Sequence, residues 1–368
     1  MKKKIIDLIG GARPNFVKLA AFFAVQNKFP QLSLRFIHTG QHYDFSLSDV
    51  FIQQLNIPAP THHLEVGSGS HAYQTAEIMK RYEVWIDQSR PDLCMVVGDV
   101  NSTIACALTA AKCGIPAAHV EAGLRSFDRS MPEEINRILT DSISSYLFVT
   151  EKAGVNNLKK EGHSLSEIYL TGNVMIDTLF RLKPMAQNLE IGKQFNLMPK
   201  KYAYMTMHRP SNVDDHKNLS FILEQILKAA AKIDIVFPVH PRTQKCLEKS
   251  GLNKSLTQNP NIKLIAPLGY LESLSLMLGS KLVITDSGGM QEETTALGIP
   301  CLTLRENTER PITIERGTNT LIKGNWKLFH TCVDRILKNK YGKKAKGIPH
   351  WDGKSAERIL TIISKMRL

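Results

Sequence analysis

Leu282-Val283-Ile284-Thr285-Asp286-Ser287-Gly288-Gly289-Met290-Gln291-Glu292-Glu293 reads as a complete strand-to-helix transition. Four apolar or β-branched residues form a short buried strand, Asp286 closes it, and a helix opens after Gly288-Gly289. Two glycines allow close backbone approach, and the free N–H groups and positive end of the helix suit a diphosphate. Glu293 lies one turn further along, where a carboxylate can accept bonds from ribose hydroxyls. The plainer reading is a tight turn with Glu293 as a helix-dipole partner. Neither G-x-G-x-x-G nor G-x-x-x-x-G-K-[ST] occurs, so the nicotinamide and ATP fingerprints are absent and no cofactor is expected.

Outward from this stretch the same unit recurs. Strands are expected at 203–206, 235–239, 262–265 and 301–304, with helices at 219–231 and 291–297. An earlier series has strands at 5–9, 34–38, 93–97, 116–120, 146–149 and 167–170, with helices at 102–113 and 133–145. Pro132, followed by Glu133 and Glu134, is a good start for the second of these helices. Repeated βα units imply a parallel sheet with helices on both faces, and two series imply two doubly wound α/β domains. The chain divides near Gly172 to Lys201, a polar stretch containing Lys183-Pro184 and Met198-Pro199. That gives an N-terminal Rossmann-like domain at 1–172 and a C-terminal one at 173–351, with a last helix in 352–368 packing back on the first.

Composition narrows the classes. At roughly 150 residues per domain, 368 residues make two or slightly more. The net charge of +13 invites a nucleic-acid or membrane reading. Its location argues otherwise: residues 323–368 hold 12 Lys or Arg against 3 Asp or Glu, and Lys2 to Lys4 add three more. No zinc-finger spacing, RNP-like string or basic heptad region occurs, so no nucleic-acid partner is expected. The run 338–346 reads as a solvated connection. No stretch of 18 apolar residues occurs, and Asp7 interrupts a signal-like start, so no membrane insertion is expected. Six cysteines without a C-x-x-C pair suit buried thiols in a reduced, cytoplasmic protein. The histidines show no H-E-x-x-H or clustered spacing, so no metal is expected.

Ligands of doubly wound sheets sit at the carboxyl ends of strands. Six polar segments fall there: Gly10-Gly11-Ala12-Arg13-Pro14, Gly98-Asp99, Glu121, His208-Arg209, His240-Pro241-Arg242 and Asp286-Ser287-Gly288-Gly289. Split between two domains, they predict one interdomain cleft. Arg13, Lys18, Arg305 and Arg310 are candidate anion partners, and Asp99, Glu121, Glu133 and Glu134 the candidate carboxylates. Convergent carboxylates repel, which raises at least one pKa and separates acid from base roles. Each also has a bland reading: Asp99 as a helix cap, Glu133 and Glu134 as dipole partners, Lys18 on a solvated face.

Taken in order, the strings are distinctive. Gly11-Ala12-Arg13-Pro14, Thr39-Gly40-Gln41-His42-Tyr43-Asp44, Gly98-Asp99-Val100-Asn101-Ser102-Thr103 and His119-Val120-Glu121-Ala122-Gly123-Leu124-Arg125-Ser126 come first. Pro132-Glu133-Glu134-Ile135-Asn136-Arg137, His208-Arg209, Asp286 to Glu293 and Thr308-Glu309-Arg310-Pro311 follow. From about Lys4 to Lys323 the sequence resembles the UDP-N-acetylglucosamine 2-epimerase family, especially its non-hydrolysing branch.

The resemblance implies a glycosyltransferase-B-type fold of two Rossmann-like domains, a UDP-sugar substrate, no metal, no nicotinamide and a homodimer. It implies C2 epimerisation of UDP-N-acetylglucosamine to UDP-N-acetylmannosamine through a 2-acetamidoglucal intermediate, supplying surface polysaccharide precursors. Asp99, Glu121 and Glu133 would be the acid/base carboxylates, with His208 assisting near the diphosphate. Arg13, Lys18 and Arg310 would hold the leaving UDP, and Ser287, Gly288, Gly289 and Glu293 would cradle phosphate and ribose. Gln41, His42, Arg209 and His240 fit an allosteric site for a second UDP-sugar. The sequence departs from the family where Ser273 replaces a common Phe near uracil, leaving Leu274 or Met277 as apolar support, and where Met207 replaces Thr. A related UDP-diacetamido-uronic acid as substrate, or hydrolytic release of N-acetylmannosamine, are the alternatives. A glycosyltransferase on the same fold leaves the carboxylates unexplained, and a non-enzymatic sugar-nucleotide sensor is the remaining option.

Overall fold

The computed structural model describes residues 3–40 and 52–367; Gln41 and His42, expected in the allosteric site, lie outside them. The chain forms two compact units, Met1–Arg181 with Ile348–Leu368, and Leu182–Gly347. The boundary falls inside the helix Val174–Leu189, which carries Pro184 in its interior. Pro184 is exposed, so solvent can satisfy the carbonyl that its ring leaves without an N–H partner. That is why the Lys183-Pro184 pair, which reads as a break, does not end the helix.

Among the described residues, the sheet of the first unit runs β3 (His62–His63), β2 (Leu32–His38), β1 (Lys4–Gly10), β4 (Leu93–Val97), β5 (Ala117–Ala122), β6 (Tyr146–Val149), β7 (Ile168–Leu170). Every pairing is parallel. β4 is buried throughout, as its unbroken apolar run requires of a strand covered on both faces. Ala105, Ala107 and Ala110 let the helix Asn101–Lys112 lie close against the sheet. The chain lays β2 and β3 on one side of β1, then crosses to β4 on the other. This topological switch point lies between β1 and β4, and ligands of doubly wound sheets bind outside such a point.

The helix Ser355–Lys365 packs on the helix Arg13–Val25 of the same unit. Lys4 Nζ donates to the carbonyls of Ile363 at 3.2 Å and Ser364 at 2.9 Å, at the helix's C-terminal end. Asp177 Oδ2 accepts from Ala356 N at 2.7 Å, at its N-terminal end. Both sets of orphan backbone groups are thus partly satisfied by this unit.

The sheet of the second unit runs β10 (Ile262–Ile265), β9 (Asp234–Pro238), β8 (Tyr202–Thr206), β11 (Leu282–Thr285), β12 (Cys301–Thr303), β13 (Asn319–Leu321), again all parallel. Its switch point lies between β8 and β11, so His208-Arg209 and Asp286-Ser287 flank it. The basic run 338–346 is not simply solvated. Tyr341 donates to the Thr318 carbonyl at 3.0 Å, Lys343 Nζ to that of Ile314 at 3.0 Å, and Lys346 N to that of Arg316 at 2.8 Å. Carbonyls left over at the short helix Ile312–Glu315 and beside β13 recruit these donors.

Candidate active site

Gly10-Gly11-Ala12 leads from β1 into the helix Arg13–Val25. Asn15, in the first turn, accepts from Gly11 N at 3.3 Å and Ala12 N at 3.1 Å. Its Nδ2 donates to the Val97 carbonyl at 2.9 Å, so one side chain ties the β1 loop to the end of β4. The sequence reading passed over Asn15; an amide three residues into a helix is half of a capping box and was the available signal. Arg13 is half-buried at the first helical position.

A Cβ on Gly11 would lie 2.2 Å from both Ser102 Oγ and Thr39 Oγ1. Those hydroxyls bond each other at 2.7 Å. Gly11→Ala is expected to cost about 1–3 kcal/mol by overpacking, and adding Ser102→Ala to restore part of it. Urea unfolding of the single and double variants checks this; an unchanged midpoint for Gly11→Ala contradicts it.

Lys18 is not on a solvated face. Its Nζ meets Glu121 Oε2 at 2.7 Å, with 7% and 3% of the two side chains exposed. Glu121 sits at φ +76°, a left-handed conformation uncommon for a residue with a side chain, where β5 shifts register against β6 between Val120 and Ala122. Bulges re-aim side chains at the ends of strands, and strain at such positions accompanies functional sites. The Lys18 ammonium also lies against Gly98, whose φ is +74°; a Cβ there would sit 2.9 Å from Nζ. Lys18 thus joins the ends of β4 and β5.

Asp99 does not cap the following helix. The N-cap of Asn101–Lys112 is Val100, with no side-chain cap. The Asp99 carboxylate instead pairs with Arg137. Arg137 also donates to Glu134 from Nη2 at 2.6 Å and Nε at 3.1 Å. Glu134 accepts from Ser126 N and Phe127 N, each at 2.9 Å. Burial works to raise the Glu134 carboxyl, but the Ser126 N–H and the Arg137 guanidinium outweigh it and hold it below its ordinary range. Glu134 is therefore committed to ordering the loop. Glu133, half-buried in the first turn of Pro132–Ile143, carries none of these bonds. The first unit thus gathers Lys18, Asp99 and Glu121 around the ends of β4 and β5.

In the second unit Asp286 organises the switch point. It accepts from His208 N at 2.9 Å, Arg209 N at 2.8 Å and Asn212 Nδ2 at 3.0 Å, and its Oδ1 is 3.0 Å from His208 Nδ1. Burial opposes its ionisation, but His208's ring and these N–H groups hold its pKa below the ordinary value. His240 caps the helix Pro241–Ser250 by accepting from Arg242 N at 3.2 Å, and its ring lies 5.4 Å from that of His208.

Gly288 and Gly289 begin the helix Gly288–Leu297 themselves, three residues earlier than expected, with Ser287 as N-cap. They therefore contribute first-turn N–H groups, which have no partner within a helix. Arg310 is already engaged: its Nε is 2.7 Å from Glu292 Oε1 and its Nη1 3.1 Å from Glu309 Oε1. Ser273 bonds the Tyr204 hydroxyl at 2.6 Å. Leu274 and Met277 are buried in the unit's interior, not offered as a surface.

Tyr270 donates its hydroxyl to Glu293 Oε1 at 2.7 Å. Burial raises the Glu293 carboxyl to about 7; the Tyr270 bond opposes this and Glu292 adds to it. The folded protein keeps the Glu293 proton up to about pH 7, whereas an ordinary glutamate loses it near 4.5. Stability therefore falls as pH rises through that window, and the penalty is complete above it. Glu293→Gln is expected to match the wild type near pH 4 and exceed it at pH 8 by about 1–3 kcal/mol. Denaturant melts at both pH values check the sign.

Two parallel sheets, one with carboxylates and a lysine around the ends of β4 and β5 and the other with a glycine-opened helix, define an α/β protein of the glycosyltransferase-B type. Within that class the chain belongs to the UDP-N-acetylglucosamine 2-epimerase family, whose sequence profile matches residues 25–364. It is 42% identical to a UDP-N-acetylglucosamine 2-epimerase of Methanocaldococcus jannaschii over 98% of both chains. A crystal structure of the M. jannaschii UDP-GlcNAc 2-epimerase in complex with UDP-GlcNAc and UDP superposes with a TM-score of 0.89 at 40% identity, covering 98% of this chain and 100% of that one. A UDP-2,3-diacetamido-2,3-dideoxy-D-glucuronate 2-epimerase of Pseudomonas aeruginosa is 38% identical over 99% of this chain and 100% of its own.

Proposed function

We propose that this chain is a non-hydrolysing UDP-N-acetylglucosamine 2-epimerase that interconverts UDP-N-acetylglucosamine and UDP-N-acetylmannosamine. The observation that carries the reading is Glu121, a buried carboxylate paired with Lys18 on a strained bulge at the end of β5, the strand beside β4. Family membership supports the substrate class.

In this reading a carboxylate takes the C2 proton, and the C2–H electron pair forms the C1=C2 bond of 2-acetamidoglucal. The C1–O bond breaks, and its pair leaves on the β-phosphate oxygen of UDP. Re-addition reverses these steps, with protonation on the opposite face of C2. Asp99, Glu121 and Glu133 supply acid and base. Lys18 and Arg13 stabilise charge developing on the leaving group, since cations fixed beforehand in a buried setting act without reorganising. First-turn N–H groups of Gly288 and Gly289, behind the Ser287 N-cap, receive the diphosphate, Glu293 the ribose, and His208 assists beside the phosphates. Arg310 joins them by exchanging a carboxylate partner for phosphate.

Incubation with UDP-N-acetylglucosamine in D2O, followed by proton NMR, tests the reading. UDP-N-acetylmannosamine carrying deuterium at C2 is expected. Free N-acetylmannosamine with UDP selects the hydrolytic outcome instead. Absence of exchange, with turnover of the diacetamido-uronic acid nucleotide, transfers the assignment to the substrate in the P. aeruginosa relative's name.

A further inference from the structure

His119 occupies the middle of β5 and is fully buried. Its Nε2 lies 2.8 Å from the Gly98 carbonyl oxygen and its Nδ1 2.6 Å from Asp141 Oδ1. A carbonyl only accepts, so Nε2 donates. Burial works to raise the Asp141 carboxyl, but His119 and Arg125 outweigh it and hold it below its ordinary range. His119 is thus bonded on both ring nitrogens, to the Gly98 carbonyl on one side and the Asp141 carboxylate on the other.

The consequences fall on two of the three carboxylates of the proposed chemistry, Asp99 and Glu121. Gly98 immediately precedes Asp99, so fixing the Gly98 carbonyl fixes the peptide from which Asp99 departs. Gly98 N is held on the other side, donating to the Val120 carbonyl at 3.1 Å. Asp141 Oδ2 accepts from Gly123 N at 3.0 Å and lies 2.7 Å from Arg125 Nη2. Gly123, at φ +78°, lies two residues beyond Glu121 at φ +76°, where β5 ends.

Resting on the epimerase reading, we propose that His119 is a positioning residue: through Gly98 and Asp141 one imidazole sets both Asp99 and Glu121. It touches no substrate. Its effect reaches the chemistry only through the backbone on either side of it.

Asparagine places an amide donor near the Nδ1 position, and glutamine near Nε2. His119→Gln, which keeps the bond to Gly98, is expected to retain kcat within about tenfold of the wild type. His119→Asn leaves that carbonyl unheld and is expected to lower kcat about 100-fold, the scale of an ångström-sized misplacement. KM for UDP-N-acetylglucosamine should stay within about threefold, since the sugar-nucleotide contacts are untouched. Asp141→Asn, the second route, should lower kcat with KM unchanged. Wild-type kcat in a folded His119→Asn or Asp141→Asn protein overturns the proposal. So does an equal fall in Gln and Asn variants that tracks their melting temperatures, or failure of all three to fold, since either assigns the pair to stability. A wild-type enzyme without C2 exchange sinks the epimerase reading itself, which separates the two failures.

Discussion

Asp99→Asn and Glu121→Gln are each expected to lower C2 proton exchange by about 10³-fold or more, the upper range for loss of a positioned acid or base. Both substitutions keep shape while removing ionisation. UDP binding should survive, because neither substitution removes a group assigned to the nucleotide: Arg13, Lys18, Arg310, the helix start at Gly288 and Glu293 all remain. The two variants should differ in stability. Glu121 is buried against Lys18, and breaking a buried pair by removing one partner costs about 3–5 kcal/mol. A glutamine still accepts from the ammonium, so the loss for Glu121→Gln should be smaller than that. Asp99 is 29% exposed on its side chain, and its partner Arg137 keeps Glu134, so Asp99→Asn should melt close to the wild type. Exchange is read by NMR in D2O and stability by urea unfolding. Near-normal exchange in either variant removes that carboxylate from the mechanism.

Asp286→Ala should be the most damaging change in the second unit. It removes the acceptor shared by two backbone N–H groups, an amide and the His208 ring at the end of β8. Buried donors left unsatisfied cost about 1–3 kcal/mol each, so a loss of about 3 kcal/mol or more is expected. Turnover should fall further than stability alone explains, because His208 and Arg209 lose their anchor. The pH dependence has a definite sign. The folded-state pKa of Asp286 lies below its ordinary 3.8, so its contribution is present at neutral pH and lost as pH falls through that lower value. The stability gap between wild type and Asp286→Ala should therefore be wide at pH 7 and narrow towards pH 2. A gap that is constant with pH contradicts an ionised anchor.

The candidate site was partly legible in the chain. Arg13, Asp99, Glu121, His208 and Ser287 were picked out as candidates because strand ends and glycine turns are local patterns. The same logic picked Arg310 without its partners Glu292 and Glu309. Leu274 and Met277, named as apolar support where Ser273 replaces a Phe, are both buried. Lys18 was read as either a ligand or a solvated side chain, since its partner lies 103 residues away. Asn15, Arg137 and Asp141 were passed over for the same reason: each acts by joining segments that are separate in sequence.

What the sequence determined by itself was the alternation of short apolar strands with helices, a helix in the stretch that follows Ser287-Gly288-Gly289 and a set of polar strand ends. These depend on side-chain period and turn chemistry, which act over a few neighbouring residues. Tertiary structure alone decided that β1 lies beside β4 and β8 beside β11, which places those polar ends at two switch points. It also decided which carboxylates are committed to structure, Glu134 and Asp286. It set Glu121 at a positive φ as well. Strand order and buried pairing depend on contacts between distant segments, and no local pattern of residues encodes them.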